Sequence, residues 1–180
     1  QARPRVAVMN FQNNSTWTWW GDILGEAAAE ELVTQLIKSG KFSVIERSQL
    51  AAILQEQRLG ASGAVTAATA SKIGQLLGAQ LILTGSITQF SIERKSAAFR
   101  GSYARAESKL DVRLVDTTTG EVLLAEEGVG DKRMGGGFFK GASAERTFDR
   151  GAAAEAVRPA VEDIVQKLAA QSIKVAPAGP

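Results

Sequence analysis

The stretch Gln75-Leu-Leu-Gly-Ala-Gln-Leu-Ile-Leu-Thr-Gly-Ser-Ile87 reads as the end of a helix, a stop and a strand. Leu76 and Leu77 complete an apolar helical stripe with Ile73, and Gly78 sits where a helix needs a left-handed residue after its last turn. Leu81, Ile82 and Leu83 form an unbroken apolar run, the pattern of a strand covered on both faces and therefore central to a sheet. Thr84-Gly85-Ser86 then allows a bend or a close backbone approach, and Ile87 to Arg94 relaxes toward half-exposed alternation. One strand leaves the core and runs outward.

Upstream of this strand, Arg5 to Phe11 is apolar on both faces and predicts a first inner strand. A polar loop follows, rich in Asn, Ser and Thr, and it carries all three tryptophans, Trp17, Trp19 and Trp20. From an N-cap at Asp22, Leu32, Val33, Leu36 and Ile37 predict a helix that Gly40 stops; its acidic residues lie toward the N-terminal end. Phe42 to Glu46 predicts a short strand, and Ser48 caps a helix with Leu50, Ile53 and Leu54 on one face. Gly60 to Gly63 breaks that helix, and a third runs from about Thr66 to Leu77. Strands separated by helices favour parallel pairs with right-handed crossovers.

Downstream the pattern changes. Ala106 to Val115 alternates Ser108, Leu110, Val112 and Leu114 against Glu107, Lys109, Asp111 and Arg113, a strand with one wet face. Asp116 to Gly120 is a turn, and Glu121 to Glu127 returns as the next antiparallel strand. Gly128 to Arg150, with Gly135-Gly-Gly137, Phe138 and Phe139, has no steady period and predicts a loop. A last helix places Val157, Val161, Ile164, Val165 and Leu168 on one stripe, with Pro159 predicting either a kink or a start near Arg158. The expected architecture is an α/β fold of mixed α+β character, helices on a mixed sheet ending in an antiparallel meander. A single domain over residues 1–175 is expected, with 176–180 as a disordered tail.

With no Cys and no His, the 180 residues offer no thiol or imidazole chemistry and no usual zinc ligand set. A net charge of +2 makes no case for nucleic acid. No apolar run approaches the length of a membrane helix, and an opening on Gln1 fits a removed signal peptide or a truncation. The glycines of 128–141 lack the order of a phosphate loop. Glu126 and Glu127 point to opposite faces of a strand, and Glu162 with Asp163 reads as the wet side of a helix. No catalytic residue, cofactor or metal is assigned.

Two surface features remain. Three tryptophans within four residues of a polar loop are hard for one domain to bury, although one of them packing under the first helix is the ordinary outcome. Arg94, Lys95, Arg100, Arg105, Lys109 and Arg113, interleaved with Phe99 and Tyr103, read either as an anion-binding ribbon or as a solvated edge whose charges discourage aggregation; the solvated edge is the simpler account.

The order of elements and the wording of four stretches resemble the family of the curli secretion channel CsgG and its periplasmic relatives. The carriers are VAVMNF at Val6 to Phe11, Phe42-Ser-Val-Ile-Glu-Arg-Ser-Gln-Leu50, Leu77-Gly-Ala-Gln-Leu-Ile-Leu-Thr-Gly-Ser-Ile87, and Leu110-Asp-Val-Arg-Leu-Val-Asp-Thr-Thr-Thr-Gly-Glu-Val122. The resemblance runs from about Val6 to Leu168. It implies a periplasmic α/β domain assembling side by side into a homo-oligomeric ring at the outer membrane, non-enzymatic and serving secretion or scaffolding. It places Trp17, Trp19 and Trp20 at a lumen or subunit seam, and Phe99, Tyr103, Phe138 and Phe139 at hairpin tips that meet a partner. The partners expected are further copies and other envelope proteins or a secreted passenger. The chain departs from the channel in lacking an N-terminal Cys for a lipid, and in charges that interrupt both hairpin regions, Gln89 to Lys109 and Glu126 to Arg150. Two alternatives share the fold: an activator module for a cell-wall synthase, and a true channel with short membrane hairpins.

Overall fold

The computed structural model describes residues 2–18, 20, 22–56, 66–97, 101–134 and 150–175. Strand β1 (Arg5–Val8) leads through β2 (Gln12–Asn13) to helix α1 (Ile23–Ser39), β3 (Ser43–Val44), α2 (Arg47–Glu56) and α3 (Ala67–Leu77). Strands β4 (Leu81–Ala97), β5 (Gly101–Asp116) and β6 (Val122–Met134) follow, then α4 (Arg150–Ala170). They build one mixed sheet in the order β3-β1-β4-β5-β6, with β2 also beside β4. β1 pairs parallel with β3 and β4, whereas β4, β5 and β6 run antiparallel. The α/β class and the closing meander are therefore as the sequence predicts.

The start of β4 is central because both of its faces are covered. Leu81 and Leu83 pack into the core beneath α1 and α4, and Ile82 into a second core beneath α2 and α3 with Met9, Leu50 and Ile73. All three β4 residues are at most 1% exposed. Gly78, at φ 64°, ends α3 in the left-handed conformation that a residue with a Cβ rarely adopts. Past a bulge between Ile87 and Gln89 the strand keeps running, and only its α1/α4 face stays covered, by Phe90 and Ile92 in that core.

Two helices are rotated from the predicted stripes. On α1 the buried residues are Leu24, Gly25, Ala27, Ala28, Ala29, Glu31, Leu32 and Leu36, and Ile37 is 57% exposed. On α3 they are Ala70, Ile73 and Gly74, and Leu76 is 50% exposed. Small residues set the inward face in both helices, since they let a neighbour come close; a reading weighted to large side chains turns the stripe by about one position. The predicted caps also differ: Asp22 makes no side-chain cap bond, and α2 starts at Arg47 instead of after Ser48. The first strand stops at Val8, and Phe11 donates its N–H to Gly25 O at 3.2 Å.

The stretch from Gly128, predicted as loop, continues β6 to Met134; residues 135–149 and the tail 176–180 lie outside the described residues. The missing period has a physical cause. A Cβ on Gly128 would lie 2.3 Å from Ala160 O, and one on Gly130 would lie 2.4 Å from Ala160 N, so these glycines are where α4 rides against the sheet. Helix α4 starts at Arg150 and runs through Pro159, whose ring fills the space that Gly130 leaves open. Val157, Val161, Ile164, Val165 and Leu168 are buried as the stripe predicts. Arg150 joins Glu26 and Glu30 of α1, and Arg158 meets Glu31 at 2.9 Å.

Candidate interaction surface

Helices α1 and α4 cover one face of the long meander. On the other face, α2 and α3 stop over β1 and the first residues of β4, held there by the β5–β6 turn: Thr117 Oγ1 donates to Ala79 O at 2.6 Å, and Gln75 Nε2 donates to Thr117 O at 2.8 Å. Beyond this stitch no described helix covers the sheet. Since Ala104, Ala106, Leu110, Val112 and Leu114 point into the α1/α4 core, the residues between them on β5 must point the other way. They are Tyr103, Arg105, Glu107, Lys109, Asp111 and Arg113. On β6 the same argument from Gly128, Gly130 and Met134 turns Ala125, Glu127, Val129, Asp131 and Arg133 outward.

This bare face is polar and ion-paired. Arg105 bonds Asp131 and comes within 3.9 Å of Glu107, Lys109 meets Glu127 at 2.9 Å, and the Arg133 guanidinium stacks 4.2 Å from the centre of the Tyr103 ring. Glu93 and Lys95 pair at 2.7 Å at its far end. The hydrogen bond from Lys95 holds the Glu93 carboxyl below its ordinary value, and Glu93 raises the lysine in turn. Two shallow hollows of about 710 and 770 Å³ lie along the face. Thr84, Ser86, Asp111 and Glu127 line the first, and Ser91, Glu107, Lys109 and Asp131 the second, with Asn14 on the rim of both. Such a surface can bind by charge and hydrogen bonding. Glu126 turns to the helix side and accepts from Gln171 Nε2 at 3.1 Å, while Glu127 faces outward.

The edge of the sheet shows a device that the sequence did not signal. Asp163 Oδ2 accepts the Val129 N–H at 3.1 Å, Lys167 Nζ donates to Glu127 O at 2.6 Å, and the two side chains bridge at 3.0 Å. Burial opposes ionisation of Asp163, but the Val129 N–H and Lys167 outweigh it and hold the carboxyl below its ordinary value. A pair of charges on α4 thus occupies backbone groups of β6 that would otherwise be free for another strand. The only sequence hint was that they stand four apart on a helix, Asp before Lys.

The predicted contact residues have separate fates. Trp20 is 9% exposed and belongs to the core; Trp17 is half-buried, and each meets the other and Phe90 edge to face, with centroids 4.9 to 5.6 Å apart. The loop before them is pinned, with the Asn14 N–H on Ile87 O at 2.9 Å and Asn13 Nδ2 on Trp17 O at 2.8 Å. Tyr103 stands on the bare face. Trp19, Phe99, Phe138 and Phe139 lie outside the described residues, as does Arg100 of the basic ribbon.

A family model described as the curli production assembly/transport component CsgG matches residues 1–178. The chain belongs to the CsgG family. A protein of Neisseria meningitidis serogroup B, named as a candidate lipoprotein, is 28% identical over 181 residues, covering 91% of this chain and 76% of its own. Among solved structures, the C-terminal domain of LpoB from Salmonella enterica superposes with a TM-score of 0.53 at 21% identity, over 72% of this chain and 84% of that domain. The lipoprotein GNA1162 of Neisseria meningitidis gives a TM-score of 0.54 at 13% identity, over 93% and 99%. At those identities the likeness is one of fold, and it is the CsgG-like fold that the four sequence stretches implied.

Proposed function

We propose that this CsgG-family chain is a non-enzymatic assembly module of the cell envelope. It works in the periplasm at the outer membrane, as a homo-oligomeric ring serving secretion or scaffolding. The observation that carries this reading is the family match to an assembly/transport component across residues 1–178, supported by relatives named as lipoproteins. The bare sheet face supports it too, since an exposed, charged surface along two shallow hollows suits contact with another protein. In this reading Trp17 and Trp19 serve the seam or aperture, and Trp20 braces Trp17 from the core. Phe99, Tyr103, Phe138 and Phe139 meet the partner at the hairpin ends.

Electron microscopy of the protein extracted from its native envelope tests the proposal. A closed ring of copies supports it. A monomer that retains a single envelope enzyme would replace it with the activator module. Reproducible single-channel currents from the pure protein would replace it with the membrane channel, against the expectation set by the charges on both hairpins.

A further inference from the structure

Across β5 and β6 the charges of the bare face fall into bands of one sign. Arg105 lies directly opposite Arg133, Glu107 opposite Asp131, and Asp111 opposite Glu127, while Lys109 faces Val129 and Arg113 faces Ala125. Read along the strands, the bands run positive, negative, positive, negative, positive, each two residues from the next, or about 6.8 Å. Like charges placed directly across a strand pair are unfavourable for the domain itself; they are relieved by the diagonals Arg105 with Asp131 and Lys109 with Glu127, by Glu107 beside Arg105, and by Glu93 opposite Arg105 on β4. The two hollows hold the negative bands, Asp111 with Glu127 in one and Glu107 with Asp131 in the other.

We propose that this face docks on the same face of a second copy, with the strands antiparallel and the two-fold axis between the Glu107 and Lys109 bands. The inference rests on the reading that the module acts through protein contacts. A partner must offer alternating charge at a pitch of about 6.8 Å, which is the spacing of every second residue on a strand, and this face carries that alternation. The chosen axis sets Arg105 and Arg133 against Asp111 and Glu127 of the second copy, and Glu107 and Asp131 against its Lys109. Each negative band in its hollow then receives a basic side chain. Three strands over about nine residues give a face of about 14 by 30 Å, roughly 800 Å² buried in total, below the about 1,000 Å² that a stable interface clears. The pairing is consequently weak and sensitive to salt.

Sedimentation velocity of the full chain at about 100 µM tests this, and two charge-reversed forms make the test specific. The native chain should pair in about 20 mM salt and lose tenfold or more of its affinity by about 0.5 M. The Asp111→Lys, Glu127→Lys form and the Arg105→Glu, Arg133→Glu form should each be monomeric. Mixed in equal amounts they should form a heterodimer, since every reversed band then meets its opposite. That recovery separates docking from misfolding, which mixing cannot repair. A native chain that stays monomeric in low salt, or a mixture that stays monomeric, overturns the inference. A ring from the native envelope alongside a monomeric pure chain would sink the face pairing and leave the functional reading standing; salt-sensitive pairs with no envelope assembly would do the reverse.

Discussion

Strand β4 passes through two environments. At Leu81–Leu83 it lies between β1 and β5 with helices on both faces, and every side chain is buried. Beyond Ile87 it lies in an antiparallel meander with helices on one face and charged rows on the other. The first half is held by two cores, and changing it should unfold the protein. The second half spends half of its side chains on a surface that the fold does not need, so that surface is free to serve binding. In the proposed function one strand thus carries both the stability of the domain and its capacity for contact, on either side of a single bulge.

The largest effect should come from Leu83. Its replacement by Ala should cost about 2–5 kcal/mol in urea unfolding, while Ser91→Ala, past the bulge and facing the bare side, should stay within about 0.5 kcal/mol. Equal costs would erase the distinction between the two halves. Gly128→Ala comes next: the added methyl meets Ala160 O at 2.3 Å, so α4 must shift, at about 1–3 kcal/mol and with a lower melting temperature. A silent Gly128→Ala would mean that α4 is not seated as closely as described.

Smaller effects sharpen the boundary at the sheet edge. Asp163→Asn with Lys167→Met should lower stability by about 1 kcal/mol and speed hydrogen exchange at the Val129 amide; unchanged exchange there would mean that the edge is not held by these side chains. The smallest effect is one of pH. Because the folded-state pKa of Asp163 lies below its ordinary 3.8, ionised Asp163 contributes stability that is fully present above that value. This contribution is lost as pH falls through the depressed folded pKa. Unfolding measured from pH 5 down to about 2 should therefore show a loss that Asp163→Asn lacks; parallel curves for the two chains would remove the contribution.

The family resemblance and the fold class were legible in local wording, because a buried parallel strand, a helix stop and a half-wet strand each leave a period in the chain. Where side chains were small the reading slipped. Ala28, Ala70 and Gly74 turned the inward faces of α1 and α3 away from Ile37 and Leu76, and Gly128 and Gly130 disguised strand as loop. Among the candidate contact residues, polarity placed the tryptophans in a loop but could not show Trp20 packing against Phe90, 70 residues away.

By itself the sequence determined the class of the fold, which strand is central, that β5 has one charged face, and to which family the chain belongs. These follow from periodicity and residue chemistry, which act over a few neighbours. Only the tertiary structure decided which face of the meander the helices leave bare, that like charges align into bands across β5 and β6, and that Asp163 and Lys167 close the edge at Val129. Each depends on register between segments far apart in the chain, and a shift of one residue turns every side chain of a strand to the opposite face.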